Sequence, residues 1–244
     1  MRIGTTSYIY PADIITNVRR LAGKVQDVEL VLFEVTDPRW DLPNRSVIQE
    51  LRQIALENAM TYTVHLPLSL GLAGNQPKVD LARRVISGTL DLDPYAFIVH
   101  VEDGFWKESN KLESWVENSR TSLELIRGAT GVLEKLCVEN LEDQPTSLTD
   151  SILTSIPVSC CVDIGHLWKQ GLDPLPYLES WLPRTRVVHL HGVGRRDHQK
   201  LSVMPESKLF PVTSFLRNNF GGVVTIEVFN ETDLTESLIV FQKS

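Results

Sequence analysis

The side chains best equipped for chemistry in this sequence are imidazoles and carboxylates, and they recur in one kind of place. Short β-branched runs end on them: Glu34 closes Val28–Glu34, His65 lies at the end of Thr61–Leu66, and His100 at the end of Ala96–Val101. Glu139 follows in Lys135–Asn140, Asp163 closes Val158–Asp163 with His166 three residues on, and His189 and His191 close Arg186–His191. Glu227 sits in the last such run, Val223–Phe229, and Asp197 and His198 lie in the segment after His191. Imidazole nitrogens with carboxylate oxygens form the mixed donor set that suits Zn²⁺, Mn²⁺, Fe²⁺ or Co²⁺. Any one such residue is more often a surface group or a hydrogen-bonded core group than a ligand. Many of them crowded at one low-dielectric mouth would repel and take up protons unless a cation compensated them.

Convergence requires a scaffold that brings strand ends together. The β-branched runs begin at residues 2, 28, 61, 96, 135, 158, 186 and 223, and segments with helical spacing lie between them, such as Asp80–Thr89 and Trp115–Ile126. Repeated βα units of this spacing predict a (β/α)₈ TIM barrel, for which about 250 residues is typical and in which the active site lies at the C-terminal strand ends. With no Pro/Gly/Ser-rich linker or break in composition, residues 1–244 read as one barrel domain. An open doubly wound sheet is the alternative, but the stretch after the first strand, Thr5-Thr6-Ser7-Tyr8-Ile9-Tyr10-Pro11, holds no GxGxxG turn.

Strand alternation then puts Thr63 with His65, Cys137 with Glu139, Cys161 with Asp163 and Thr225 with Glu227 on shared faces. Glu139, Asp163, His189 and Glu227 are expected to form a first metal site. His65, His100, His166, Asp197 and His198 could complete a second or third, for one to three divalent ions in all. Three carboxylates with one imidazole lean toward Mn²⁺, and further histidines make Zn²⁺ equally fitting. In the reaction Glu139 and Glu227 would hold the ion, and His166, His198 or Asp197 would move a proton. Arg195 and Arg196 are candidates for a substrate phosphate. Tyr8, Tyr10, Phe33, Trp40, Phe105, Trp106 and Trp168 could line an open apolar mouth, and Glu34 could accept a substrate hydrogen bond.

Composition narrows the partners. The chain has 24 Lys+Arg against 31 Asp+Glu, a formal net charge of −7, which argues against nucleic acid and for a small-molecule substrate. No apolar run is long enough to span a membrane, and no signal peptide is visible. The three cysteines, two of them adjacent, suit a reducing cytoplasmic setting better than a disulfide framework. The helical stretches show no heptad or large exposed apolar stripe that would argue for a dimer.

The motifs Val64-His65-Leu66-Pro67, Val99-His100, Val138-Glu139-Asn140, Asp163-Ile164-Gly165-His166, His189-Leu190-His191-Gly192, Asp197-His198 and Ile226-Glu227 resemble those of the xylose-isomerase-like TIM barrels. That superfamily includes sugar epimerases and the endonuclease IV type of AP endonuclease. The resemblance implies that Glu139, Asp163, His189 and Glu227 hold the common metal. It also implies that His65, His100, His166, Asp197 and His198 serve the additional ions of the endonuclease type. Those endonucleases place their loop acid and histidine as Asp-x-His, whereas Asp197 and His198 are adjacent.

More narrowly, Thr5–Asp13, Thr61–Leu68, Asp93–Ile98 and Val188–Val193 look like the cobamide-remodelling hydrolases of the CbiR type. This resemblance implies metal-dependent cleavage of the phosphoribosyl linkage in the nucleotide loop of a cobamide, releasing the lower-ligand nucleoside and cobinamide phosphate. The alternatives are a metal-dependent sugar (phosphate) isomerase or epimerase, an endonuclease IV-like AP endonuclease, and a non-catalytic corrinoid-binding module.

Overall fold

In the computed structural model, which describes residues 1–33, 35, 42–102, 107 and 111–243, eight parallel strands close into a barrel in sequence order. They are β1 Arg2–Thr6, β2 Asp27–Val31, β3 Thr61–His65, β4 Ala96–Val99, β5 Leu136–Glu139, β6 Ser159–Asp163, β7 Thr185–Leu190 and β8 Val223–Ile226. Helices α1 Ile14–Leu21, α2 Arg45–Asn58, α3 Val79–Thr89, α4 Leu112–Arg127 and α5 Thr146–Ser155 connect the first six strands. The short α6 Ile164–Lys169 and α7 Pro174–Trp181 both lie between β6 and β7, followed by α8 Glu206–Asn219 and α9 Glu231–Lys243. Among the described residues no helix is long and apolar enough to cross a membrane.

Side chains cap several of these helices. The Asp13 carboxylate accepts from the Thr16 backbone N–H, Asn44 accepts from those of Ser46 and Val47, and Asp173 caps α7 ahead of Pro174. The outward faces of the strands and the apolar stripes of the helices make the main core. A smaller cluster, Ala96, Ile98, Cys137, Cys161, Val187 and Val223, fills the interior of the cylinder beneath the mouth. Cys160 packs in the outer core and Cys161 in the inner one, so the adjacent thiols lie on opposite faces, and the three cysteines are unbridged.

Several strands are shorter at the mouth than the β-branched runs suggest. His100 and Glu227 lie one residue past β4 and β8, where the chain turns outward toward the next helix. Glu227 is still held in register, its N–H donating to the Leu190 carbonyl at 3.1 Å. At the other end β2 starts one residue earlier than expected, because buried Asp27 pairs in register with Gly4 and Thr61. A charged residue is a poor strand former by propensity, and here its place in the barrel overrides that preference.

Candidate metal centre

The pairing register brings the donors together. Asp163 on β6 stands directly opposite His189 on β7, which in turn stands opposite Thr225 on β8, with Glu227 two residues further toward the mouth. Asp163 is both the last residue of its strand and the N-cap of α6, its Oδ1 accepting from the His166 N–H at 2.7 Å. That cap fixes His166 one helical turn beyond the strand end. Asn140 ties the ends of β5 and β6 through a reciprocal pair, donating to the Asp163 carbonyl at 3.0 Å and accepting from its N–H at 2.8 Å.

Two donor groups meet at Glu139. Its Oε2 lies 3.3 Å from His65 Nε2 and 3.1 Å from His100 Nε2. Its Oε1 lies 3.4 Å from His189 Nδ1, which is also 3.2 Å from Glu227 Oε2 and 3.8 Å from Asp163 Oδ2. His65, His100 and Glu139 can therefore share one cation, and Glu139, Asp163, His189 and Glu227 a second. Asp163 Oδ2, His189 Nδ1 and Glu227 Oε2 are buried atoms with no hydrogen-bond partner, all facing this second group. Buried lone pairs with no donor are costly, and a divalent cation satisfies all three together. The donor set fits a metal.

The partners of the imidazoles assign their lone pairs. Carbonyl oxygens only accept, so His65 Nδ1 donates to Leu66 O at 2.8 Å and His166 Nδ1 to Asn140 O at 2.9 Å. His189 Nε2 donates to the Glu29 carboxylate at 2.9 Å, and His198 Nδ1 lies 3.3 Å from Asp197 Oδ1. This leaves Nε2 of His65, Nε2 of His166, Nδ1 of His189 and Nε2 of His198 for the mouth.

His191 is turned the other way. Its Nδ1 accepts the His198 backbone N–H at 3.0 Å, a closer contact than the 3.3 Å to Gly192 O, so its proton sits on Nε2, 3.3 Å from Asp163 Oδ1. Asp163, His166, His191 and His198 lie near enough to share an ion, but the proton on His191 Nε2, a buried atom without a hydrogen-bond partner, keeps that nitrogen from ligating. Its ring stacks on His198 at 4.1 Å, which the Gly192–Gln199 bridge and a left-handed backbone at His198 (φ +51°) fold back over it.

Without a cation the carboxylates and imidazoles neutralise one another. Burial alone would raise the Glu139 and Glu227 carboxyls, but His189, with His100 at Glu139 and His198 at Glu227, holds them well below the usual range. Burial opposes protonation of His166, yet Asp163, Glu142 and Glu139 push it up to about 10. His198 rises to about 9 through Glu227, Asp163 and Asp197 against its own burial. A metal must displace such protons, so affinity should rise with pH.

The mouth opens into a cavity of about 380 Å³ walled by Phe33 and Phe229 and edged by Glu102, Glu142 and Asp143. His65, His100, Glu139, His166, His198 and Glu227 line it, and Asp163 and His189 lie beneath. Other expected residues stand elsewhere. Asp197 binds Lys169 Nζ at 2.5 Å and contacts His198 from behind. Arg195 and Arg196 are exposed on the tip of the loop after β7. Trp168 is buried on the outer side of α6, beside a second crevice against α7 and α8. Tyr10 bonds Glu231, and Tyr8 is exposed. Glu34, Trp40, Phe105 and Trp106 lie outside the described residues.

Sequence reasoning missed Glu29, Glu142 and Lys169. Glu29 could have been found, since a carboxylate two residues after Asp27 inside a strand must share its inward face. Glu142, 3.1 Å from His166 Nε2, lies in the loop after β5, and its partner Lys169 closes α6, so neither follows the strand period.

The sequence matches no protein-family model and no curated protein. Similar solved structures are numerous. One is a D-tagatose 3-epimerase-like protein (TM-score 0.82, 20% identity, covering 100% of this chain and 96% of that one). Another is endonuclease IV from Thermus thermophilus (TM-score 0.73, 19% identity, 100% and 98% covered). A third is 3-keto-D-glucoside 4-epimerase from E. coli (TM-score 0.75, 15% identity, 100% of both chains). The fold of this chain is a closed (β/α)₈ TIM barrel, the fold of these structures.

Proposed function

We propose that this chain is a metal-dependent phosphodiester hydrolase, and that its substrate is the phosphoribosyl linkage of a cobamide nucleotide loop. One observation carries the reaction class: each oxygen of the Glu139 carboxylate faces its own donor group, His65 with His100 on one side, and His189 with Asp163 and Glu227 on the other. A single ion is satisfied by about four donors, and this mouth supplies more. Paired divalent cations supply the Lewis acidity that acidifies water and offsets charge developing on a phosphoryl group.

The chain's own part is to hold and to move protons. Glu139, Asp163, His189 and Glu227 form the rigid base, and Phe33 and Phe229 narrow the access of bulk water. His198 Nε2, 3.4 Å from Glu227, and His166 Nε2 border the cavity, where either can give a proton to the departing ribose oxygen. The elements of water add across the P–O bond, leaving the phosphate on the corrinoid side and a free nucleoside. The reacting loop would enter the cavity, and the corrin ring would rest outside it. The cobamide itself is supported by the resemblance of the Thr5–Asp13 and Thr61–Leu68 runs.

A second reading, a sugar isomerase or epimerase, is favoured by the structural likenesses, which lend cobamide cleavage nothing of their own. In it Glu139 and Glu227 would shuttle a proton over the deeper donor group. The endonuclease reading fits the fold equally, but Glu102, Glu142 and Asp143 around the cavity and a net charge of −7 oppose a polyanionic duplex. The deciding experiment incubates Zn²⁺- or Mn²⁺-loaded protein with a cobamide and, separately, with ketohexoses in D₂O. Cobinamide phosphate and a nucleoside are expected; intact cobamide with deuterium entering the sugar would replace the first reading by the second.

A further inference from the structure

Glu29 is fully buried in the barrel interior, and the whole of its partner His189 is buried too. A carboxylate placed there loses its hydration, a penalty of several kcal/mol even after relaxation, and Glu29 leaves Oε1 without a hydrogen-bond partner. Its other oxygen takes the proton of His189 Nε2 at 2.9 Å. The opposite ring nitrogen, Nδ1, faces Glu227, Glu139 and Asp163 at 3.2, 3.4 and 3.8 Å and has no hydrogen-bond partner. With Nε2 engaged below, only Nδ1 is available above. Without an acceptor below, the ring could carry its neutral-state proton on either nitrogen or rotate, and the lone pair would no longer be aimed.

We propose that Glu29 is a positioning residue, which holds His189 in the tautomer that turns the Nδ1 lone pair to the cation shared with Glu139, Asp163 and Glu227. The role rests on the reading that this group binds a divalent cation. A histidine that ligates through one nitrogen and donates through the other to a carboxylate is oriented and made more basic, and loss of the outer partner typically weakens metal binding about 10–100-fold. Asp197 stands in the same relation to His198, at 3.3 Å, on the exposed side of the mouth.

The test uses Zn²⁺ alone as probe, with chelator-competition titrations of the wild-type chain, Glu29→Gln and Glu29→Leu, and ¹⁵N NMR of the Zn²⁺-loaded imidazoles. Glu29→Leu should bind Zn²⁺ at the deeper site about 10–100-fold more weakly, with the His65–His100 site unchanged. Glu29→Gln, whose amide oxygen still accepts from Nε2–H, should recover most of that loss. A purely structural role would show no such rescue. In the wild-type protein His189 should show a protonated Nε2 and a Zn²⁺-bound Nδ1, a readout that needs no variant to fold. Wild-type affinity in Glu29→Leu, equal weakness in both variants, or a protonated Nδ1 would overturn the role while leaving the metal reading intact. Failure of the wild-type chain to bind Zn²⁺ would overturn both.

Discussion

Replacing Glu139 by Gln should weaken both cation positions at once, because its two oxygens serve different donor groups. Oε2 is 3.3 and 3.1 Å from His65 and His100, and Oε1 is 3.4 Å from His189. A carboxylate and a divalent cation about 3.3 Å apart attract by about 10 kcal/mol at an effective dielectric near 20, before the desolvation of both is counted. Desolvation offsets much of this and the Gln amide oxygen still donates a lone pair, so a net loss of about 3 kcal/mol per ion is expected, roughly a hundredfold in affinity. His100→Ala removes a donor from the outer group alone. Titration with Zn²⁺ against a chromophoric chelator should therefore show two strong sites in the wild-type chain, one in His100→Ala, and two weakened ones in Glu139→Gln. Elemental analysis after dialysis gives the same count independently. If Glu139→Gln lost a single ion, or kept wild-type affinity at both positions, the shared-carboxylate reasoning would be wrong.

Two further outcomes test the frame around the site. A Cβ at Gly165 would lie 2.1–2.5 Å from three atoms of the His191 ring, so Gly165→Ala must displace that ring. An overpacking loss of about 1–3 kcal/mol is expected in urea denaturation, and adding His191→Ala should relieve it; no relief would show that the clash is absorbed elsewhere. Asp27, buried at the floor of the barrel, has its carboxyl raised from 3.8 to about 7, chiefly by burial, with Thr61, Thr63 and Arg2 offsetting only part. The folded chain then binds more protons than the unfolded one between these values, so this group's contribution to stability falls as pH rises through that window. Asp27→Asn should gain on the wild type by roughly 2–3 kcal/mol between pH 5 and pH 8; a pH-independent difference between the two would refute the burial argument.

Much of the site could be read from sequence because barrel geometry is repetitive. An eightfold alternation of β-branched runs and helical stretches specifies the cylinder, and period-2 alternation within a strand says which residues face inward. Thr63 with His65, Cys137 with Glu139, and Cys161 with Asp163 follow from that rule alone. What lay hidden depended on register and on loops. Pairing of Asp163 with His189 is set by a register shift beside Cys160 and Cys161, which no local pattern announces. Asp27 and Glu29 escape a propensity reading because a buried charge contradicts strand preference, and its compensation comes from residues distant in sequence, Thr61 for one and His189 for the other.

The same division holds for each histidine. Sequence alone determined that imidazoles and carboxylates would collect at one rim, since the strand period dictates direction and the barrel dictates an end. Only the tertiary structure decided which nitrogen each ring presents. That choice belongs to whichever acceptor lies behind it: Leu66 O behind His65, Asn140 O behind His166, Glu29 behind His189, Asp197 behind His198. For His191 the neighbour is a donor, the backbone N–H of His198, and its role is reversed. A tautomer is set by a contact a few ångströms away in space, and chain order carries no information about that contact until the loops have closed.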